Sequence, residues 1–165
     1  MKRLLLFIST LLCVNVLLAE VAVGSVFTVN EIKYQVTNQI GVKEVAVIQG
    51  TSVTSSGVLV IPEAVTYEGV IYSVTSIGVG AFQYRTDLTS VIIPNSVTKI
   101  GKYAFSGCTN LTSVTIGSGI QTIDSYAFNK CSNLTTVTCY ATNAPSIITS
   151  NTFKNTLDNN TETIL

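Results

Sequence analysis

The chain has 165 residues, about the length of one domain, and 47% of them are hydrophobic, which provides enough apolar material for a core. Charged residues make up only 11% of the sequence, with 9 of each sign, so the formal net charge is zero. Recognition of nucleic acid or of an anionic membrane by charge is therefore not expected.

The first 24 residues have the pattern of a secretory signal peptide. Lys2 and Arg3 precede an apolar run that is shorter than the about 20 residues that a membrane-spanning helix needs. Small residues suited to a cleavage point are Ala19, Ala22 and Gly24, and cleavage after Gly24 fits best. A retained membrane anchor is the alternative. We predict an exported protein that is not inserted in the membrane after cleavage.

The next part of the chain, residues 25–73, contains two segments with the pattern of a β-hairpin. Residues 26–36 alternate between apolar and polar around Asn30 and Glu31. Residues 65–74 are interrupted by Glu68 and Gly69, a pair that suits a two-residue turn. We predict that these hairpins form an N-terminal β-hairpin cap for the segment that follows.

From residue 74 onward the sequence repeats with a period of 23 residues. Residues 88–110 align without gaps on residues 111–133 and are identical to them at 11 of 23 positions. A further copy begins at residue 134, and residues 74–87 resemble the second half of a copy. A regular period of this length predicts a solenoid of stacked units. The positions that stay apolar in the two complete copies are Leu88, Val91, Ile93, Val97, Ile100, Ala104, Phe105 and Cys108, followed by Leu111, Val114, Ile116, Ile120, Ile123, Ala127, Phe128 and Cys131.

Each copy predicts a strand, a turn and one short helical turn. The segment LTSVTI at residues 111–116 is rich in strand-forming residues, and Pro94 or Gly117 turns the chain after the strand. The segment YAFSGC at residues 103–108 is too short for an independent helix, so we predict a single helical turn there. One copy buries too little to fold alone, and stacking would form a parallel ladder with a shared core.

The pattern weakens toward the end of the chain. Phe153 follows Phe128 by two residues more than the repeat length, and residues 157–165 are mostly polar. We predict a polar C-terminal tail at residues 157–165. No terminal strand is obvious in the pattern, so either the gene is truncated or the last repeat is frayed.

The repeated motifs resemble the BspA-type leucine-rich repeat, a 23-residue variant of secreted and surface proteins in Bacteroides-like bacteria and some protists. The resemblance covers about residues 58–156, and the residues that carry it are Ile93, Pro94, Val97, Ile100, Gly101, Ala104, Phe105, Cys108 and Leu111, with Ile116, Ile123, Ala127, Phe128, Cys131 and Leu134 in the next copy. It implies a curved, secreted or cell-surface solenoid that binds proteins or cells in adhesion.

These inferences define a β-rich α/β solenoid, a short leucine-rich-repeat stack. It has a parallel sheet, short helical turns and an N-terminal β-hairpin cap. Its predicted parts are a signal peptide at residues 1–24, a β cap region at 25–73, leucine-rich repeats at 74–156 and a tail at 157–165.

A candidate binding face follows from the outward positions of the predicted strands. The residues at these positions are Ser90, Ile92, Ser113, Thr115, Thr136 and Thr138. They could recognise a partner through small hydroxyl groups, could simply suit solvated strands, or could match an ordered lattice. Tyr103 and Tyr126 share one repeat position on the turn side, where they could anchor a partner or lie flat as structural residues.

The remaining reactive side chains favour structural roles. Cys108 and Cys131 hold equivalent positions, which permits either a disulfide between adjacent copies or two buried thiols. Because the sequence has no histidine and no CxxC motif, we predict no metal, no cofactor and no catalytic residue.

Two functions remain open from the sequence. The first is a binding module for an extracellular protein or cell-surface ligand. The second is a truncated structural paralogue that associates with itself through an uncapped terminal repeat and binds no ligand.

Overall fold

The computed structural model describes residues 21–50, 57–147, 151–153 and 163–164. Residues 1–20 of the predicted signal segment lie outside the described residues. The described part consists of strands and turns without a helix, so it contains no helix long and apolar enough to cross a membrane. Its strands are β1 Val26–Val29, β2 Ile32–Asn38, β3 Glu44–Val47, β4 Val58–Val60, β5 Ala64–Tyr67, β6 Val70–Ile77, β7 Ser90–Ile93, β8 Lys99–Ile100, β9 Ser113–Ile116, β10 Thr122–Ile123, β11 Thr136–Cys139, β12 Ser146–Ile147 and β13 Thr163–Ile164.

The first strand of each copy belongs to one parallel sheet, which we call the repeat sheet. Its order is β13-β11-β9-β7-β4. Val91 pairs with Val114 and Val114 pairs with Val137, so each copy meets the next in the same register. These valines are buried, and the residues on either side of them face outward because successive strand residues alternate between the two faces. The predicted parallel stack is confirmed.

The second strand of each copy belongs to another sheet, which we call the mixed sheet. Its order is β1-β2-β3-β6-β8-β10-β12, and β5 also pairs with β6. From β6 onward the main path is parallel, and Ile77, Ile100 and Ile123 stand at one level in it. These three side chains are buried, so the core lies between the two sheets.

Both predicted hairpins are present at the N-terminal end of the stack. β1 and β2 are joined through Asn30 and Glu31, with φ of 48° and 68°, and β5 and β6 through Glu68 and Gly69, with φ of 50° and 76°. Positive φ at both central residues is the geometry of a type I′ turn, which suits the twist of paired strands. A cap over the end of the stack is not supported, because β1, β2 and β3 extend the mixed sheet as additional strands.

A ladder of turns connects the copies on the third side of the stack, at residues 78–88, 101–111 and 124–134. Amide groups alternate in direction along it: the N–H of Phe105 donates to the carbonyl of Ala127 in the next copy at 2.8 Å, whereas the N–H of Ala104 donates to Gly101 in its own copy. Tyr103 has φ of 58° and Gly107 has φ of 77°. A helical turn requires negative φ throughout, so the predicted helical turn in YAFSGC is wrong.

Four phenylalanine rings form a column through the core. The centroid distances are 5.1 Å between Phe82 and Phe105, 5.2 Å between Phe105 and Phe128, and 5.3 Å between Phe128 and Phe153. The planes of neighbouring rings differ by 4° to 6°. The predicted alignment of Phe82, Phe105 and Phe128 is confirmed, and Phe153 continues the column despite its longer spacing.

The end of the repeat sheet differs from the sequence-based expectation. β13 pairs in parallel with β11, with Thr163 opposite Val137 and Ile164 opposite Thr138. The sequence pattern did not reveal this strand, because a short strand can join a ladder through backbone groups and leaves little mark on the pattern of residue types.

Two cysteines stack in the core as thiols. Cys108 and Cys131 are buried and are not joined in a disulfide. The Sγ–H of Cys108 donates to the carbonyl of Phe82 at 3.2 Å, and that of Cys131 donates to the carbonyl of Phe105 at 3.1 Å. Burial raises the pKa of both thiols to about 12. Of the two alternatives left open by the sequence, the structure has the buried thiols.

Replacement of a central ring should strongly destabilise the stack. Phe105→Ala removes a ring that stacks on both neighbours, and we expect a loss of about 3–5 kcal/mol in the free energy of unfolding. Phe153→Ala is the matched control, because its half-buried ring lies at the end of the column, and its loss should be smaller. Denaturant unfolding measures both values, and equal losses would contradict a shared core.

The buried thiols should be unreactive in the folded protein. At pH about 8, a thiol reagent should label half-buried Cys139 before Cys108 and Cys131, and should label all three once the protein is unfolded without reductant. The raised pKa values also predict that the free energy of unfolding falls as pH rises from about 9 to about 12, because only the unfolded thiols ionise readily in that range. Labelling that stays incomplete after unfolding would contradict the thiol state.

Candidate functional site

The outer surface of the repeat sheet carries two rows of side chains, which we call the strand face. The pairing register sets both rows, because residues opposite one another in a parallel ladder lie side by side. Over β4, β7, β9 and β11, the first row is Val58, Ser90, Ser113 and Thr136, and the second row is Val60, Ile92, Thr115 and Thr138. The structure thus brings all six residues of the candidate binding face onto one surface. Their role in binding stays a prediction.

The strand face changes in character along the stack. Val58, Val60 and Ile92 are 41%, 57% and 42% exposed and form an apolar half at the N-terminal side. Serine and threonine side chains form the other half. Over β4, β7, β9 and β11, neither row contains an ionisable side chain. A surface of this kind offers dispersion contacts and hydrogen bonds, and it offers no acid, base or ion pair.

Sequence reasoning missed Val58 and Val60. They lie outside the gapless repeat, because a hairpin of β5 and the first half of β6 is inserted between β4 and the end of β6, which is the second strand of this copy. A usable signal is nevertheless present, since residues 58–62 read VLVIP and residues 90–94 read SVIIP. The shared Ile-Pro pair marks β4 as the first strand of the repeat sheet.

A neighbouring column of threonines is occupied in holding the copies together. The Oγ1–H of Thr112 donates to the carbonyl of Thr89 at 2.9 Å, and that of Thr135 donates to the carbonyl of Thr112 at 3.2 Å. Thr89 makes the same contact with Gly57. On the strand face, Ser113 donates through Oγ to Ser90 Oγ at 2.9 Å. The hydroxyl groups flanking the strands therefore stabilise the stack.

The two predicted tyrosine anchors lie on the turn ladder and not on the strand face. The rings of Tyr103 and Tyr126 stack with centroids 5.2 Å apart, and Asn151 donates through Nδ2 to the Tyr126 hydroxyl at 3.1 Å. The Nζ of Lys102 lies 5.1 Å from the centre of the Tyr103 ring. Both tyrosines have positive φ, which costs energy that this stacking helps to offset. The arrangement favours a structural role.

No group of three histidine, cysteine or carboxylate side chains that could hold a metal ion occurs within the described ranges.

The repeat architecture matches a known family. The sequence profile described as "BspA type Leucine rich repeat region" matches residues 68–164, with 6 copies. The chain belongs to this family. Comparison with curated protein sequences finds no match.

Solved structures support the same fold. A leucine-rich repeat protein from Bacteroides capillosus is similar over 81% of this chain and 95% of its own, with 28% identity and a TM-score of 0.69. A leucine rich cell surface protein from Faecalibacterium prausnitzii is 33% identical over 67% of this chain, with a TM-score of 0.58. This chain spans only 29% of that protein. The leucine-rich repeat protein of T. pallidum is 25% identical over 68% of this chain and 49% of its own, with a TM-score of 0.57.

Substitutions in the threonine column should lower the free energy of unfolding more than substitutions on the strand face. Thr112→Val removes a hydroxyl that bonds the preceding copy, and we expect a loss of about 1 kcal/mol in the free energy of unfolding. Thr136→Val changes an exposed outward residue to one of similar shape and should stay within about 0.5 kcal/mol of the unaltered protein. Chemical denaturation measures both, and a larger effect for Thr136→Val would contradict this assignment.

Proposed function

We propose that the chain is a secreted or cell-surface binding module whose strand face recognises an extracellular protein, in adhesion or a related contact between cells. The observation that carries the proposal is the uncharged strand face, which is half apolar and half hydroxyl-bearing and stands on a hydrogen-bonded ladder. Interfaces between proteins combine apolar contacts with hydrogen bonds and tend to lack charge at their centre, and this surface has the same composition.

The rigidity of the support favours recognition through shape. Every strand of the repeat sheet is paired with its neighbours, and the inward side chains of Leu59, Val91, Val114 and Val137 are buried in the common core. A surface held in place in this way loses little conformational entropy when a partner binds. Ile92 and Val60 would act as apolar anchors, and the serine and threonine hydroxyls would pair with polar groups of the partner.

The relatives and the sequence support an external location. The F. prausnitzii protein, at 33% identity, is named as a cell surface protein. The basic and apolar pattern of residues 1–24 is that of an export signal, as expected for a secreted relative. Binding without chemistry fits the strand face, because neither row provides a nucleophile with a partner base.

A charge placed in the strand face should abolish partner binding. Ser113→Arg introduces a long cation in the first row, and we expect at least about a tenfold loss of affinity for a captured partner, because the cation must be desolvated without a counter-ion. The measurement is a pull-down of extracellular-matrix and cell-surface proteins with the exported chain, followed by titration of the captured protein.

The matched control is Ser125→Arg, which places the same charge on the turn ladder and should leave binding unchanged. Binding should also vary little between about 0.05 M and about 0.5 M salt, since no ion pair contributes. If Ser125→Arg abolishes binding and Ser113→Arg does not, the turn ladder is the contact surface. If the chain captures only itself, the self-association hypothesis replaces the proposal.

A further inference from the structure

A groove of about 470 Å³ opens where the strands of the repeat sheet end. The residues that directly follow β7, β9 and β11 form a column along the stack, Pro94, Gly117 and Tyr140, and the register places Pro62 at the same level after β4. Gly117 has no side chain, so the Tyr140 ring and Pro94 stand on either side of a gap that is one copy wide. Neighbouring strands are about 4.8 Å apart, so the backbones of Pro94 and Tyr140, two copies apart, are about 10 Å from each other.

The backbone of the preceding copy leaves no space for a side chain at Gly117. A Cβ added to Gly117 would lie 2.5 Å from the carbonyl carbon of Pro94 and 2.6 Å from the amide nitrogen of Asn95. Since no side chain fits at Gly117, the groove is lined at this position by bare backbone. The walls are apolar and accessible, because Tyr140 is 62% exposed and Ile92 lines the same groove.

The rim of the groove is polar and its hydrogen-bonding directions are defined. The backbone N–H of Ser118 donates to Asn95 Oδ1 at 2.8 Å, and the Ser118 hydroxyl donates to the same oxygen at 3.2 Å. A backbone N–H can only donate, so the atom that it meets is the amide oxygen, and the Nδ2 group of Asn95 is the other branch. The rim therefore offers amide donors at Asn95, hydroxyl lone pairs at Ser118 and the carboxylate of Glu63 as an acceptor.

We propose that this groove binds one neutral pyranose ring of a glycan, with the apolar C–H face of the sugar against the Tyr140 ring and its hydroxyls on Asn95, Ser118 and Glu63. A pyranose has one apolar face and a circle of groups that both donate and accept, so it uses both the walls and the rim. The volume lies within the range of small-molecule sites, about 300–1,000 Å³. This site goes beyond the proposed recognition of a protein by the strand face.

The charges of the groove select among sugars. Among the described residues that line the groove, Glu63 is the one with a carboxylate, and none is a lysine or an arginine. An acidic sugar would therefore meet a like charge without a counter-ion, which opposes its binding. A proline or aromatic side chain of a peptide would fit the walls but would leave the donors and acceptors of the rim without partners.

The test is saturation-transfer NMR on the exported chain with methyl pyranosides and their disaccharides. We expect at least one neutral pyranoside to bind with a dissociation constant of about 1–10 mM, methyl glucuronide to bind at least about tenfold more weakly, and acetyl-proline amide not to bind. Tyr140→Ala should weaken pyranoside binding by at least about tenfold, whereas Tyr140→Phe, which keeps the ring, should stay within about threefold.

Two further variants separate this site from other surfaces. Tyr84→Ala removes another exposed tyrosine, on the turn ladder, and should leave pyranoside binding unchanged. Ser113→Arg should abolish protein binding and leave pyranoside binding intact, so the two proposals can fail independently. The glycan proposal is overturned if no neutral pyranoside binds or if Tyr140→Ala does not weaken pyranoside binding. It is also overturned if acetyl-proline amide binds and Tyr140→Ala abolishes that binding.

Discussion

The parallel register between copies is the constraint on which the other features of this protein depend. Val91, Val114 and Val137 stand opposite one another in the repeat sheet, and the same offset recurs in the threonine hydroxyl bonds and in the turn ladder. Because all three sides of the stack share one offset, side chains of equivalent residues must lie in columns. The phenylalanine column, the thiol column and the two rows of the strand face are consequences of this one register.

The turn ladder repeats an irregular backbone conformation from copy to copy. Positive φ occurs at Gly80, Tyr103 and Tyr126, which occupy one column, and at Tyr84, Gly107 and Lys130, which occupy another. This geometry directs alternate amides toward the next copy, so the turns stabilise the stack in the same way as the strands do. Glycine meets the requirement at little cost, and tyrosine meets it with the help of ring stacking, or of a neighbour such as Gly107 over which the Tyr84 ring packs.

The core was predictable from the sequence because burial leaves a periodic mark. The alternation of apolar residues predicted the parallel stack and the alignment of Phe82, Phe105 and Phe128. The conformation of YAFSGC could not be predicted in the same way, because nothing in the residue type of Tyr103 signals positive φ. β13 was missed because a strand held mainly by backbone pairing requires no particular side chains.

The candidate site was predictable only in part. Strand alternation identified the outward residues, but Val58 and Val60 were hidden by the hairpin inserted between β4 and the end of β6. The groove could not be inferred, because it depends on Tyr140, which lies two copies from Pro94 with Gly117 between them. Tyr140 itself breaks the repeat pattern, since the equivalent residue is a proline or a glycine in the earlier copies.

The spacing of the last described copy shows where this architecture tolerates change. β9 and β11 keep the repeat offset, but Ser146 pairs with Thr122 at one residue more, and Phe153 stacks on Phe128 at two residues more. One additional residue lies between β11 and β12 and another between β12 and Phe153, and the columns remain aligned. A gene for such a protein can therefore gain or lose a whole unit by unequal recombination, or lengthen a connection between strands by small insertions. A single codon inserted within a strand would instead displace every later contact of that copy.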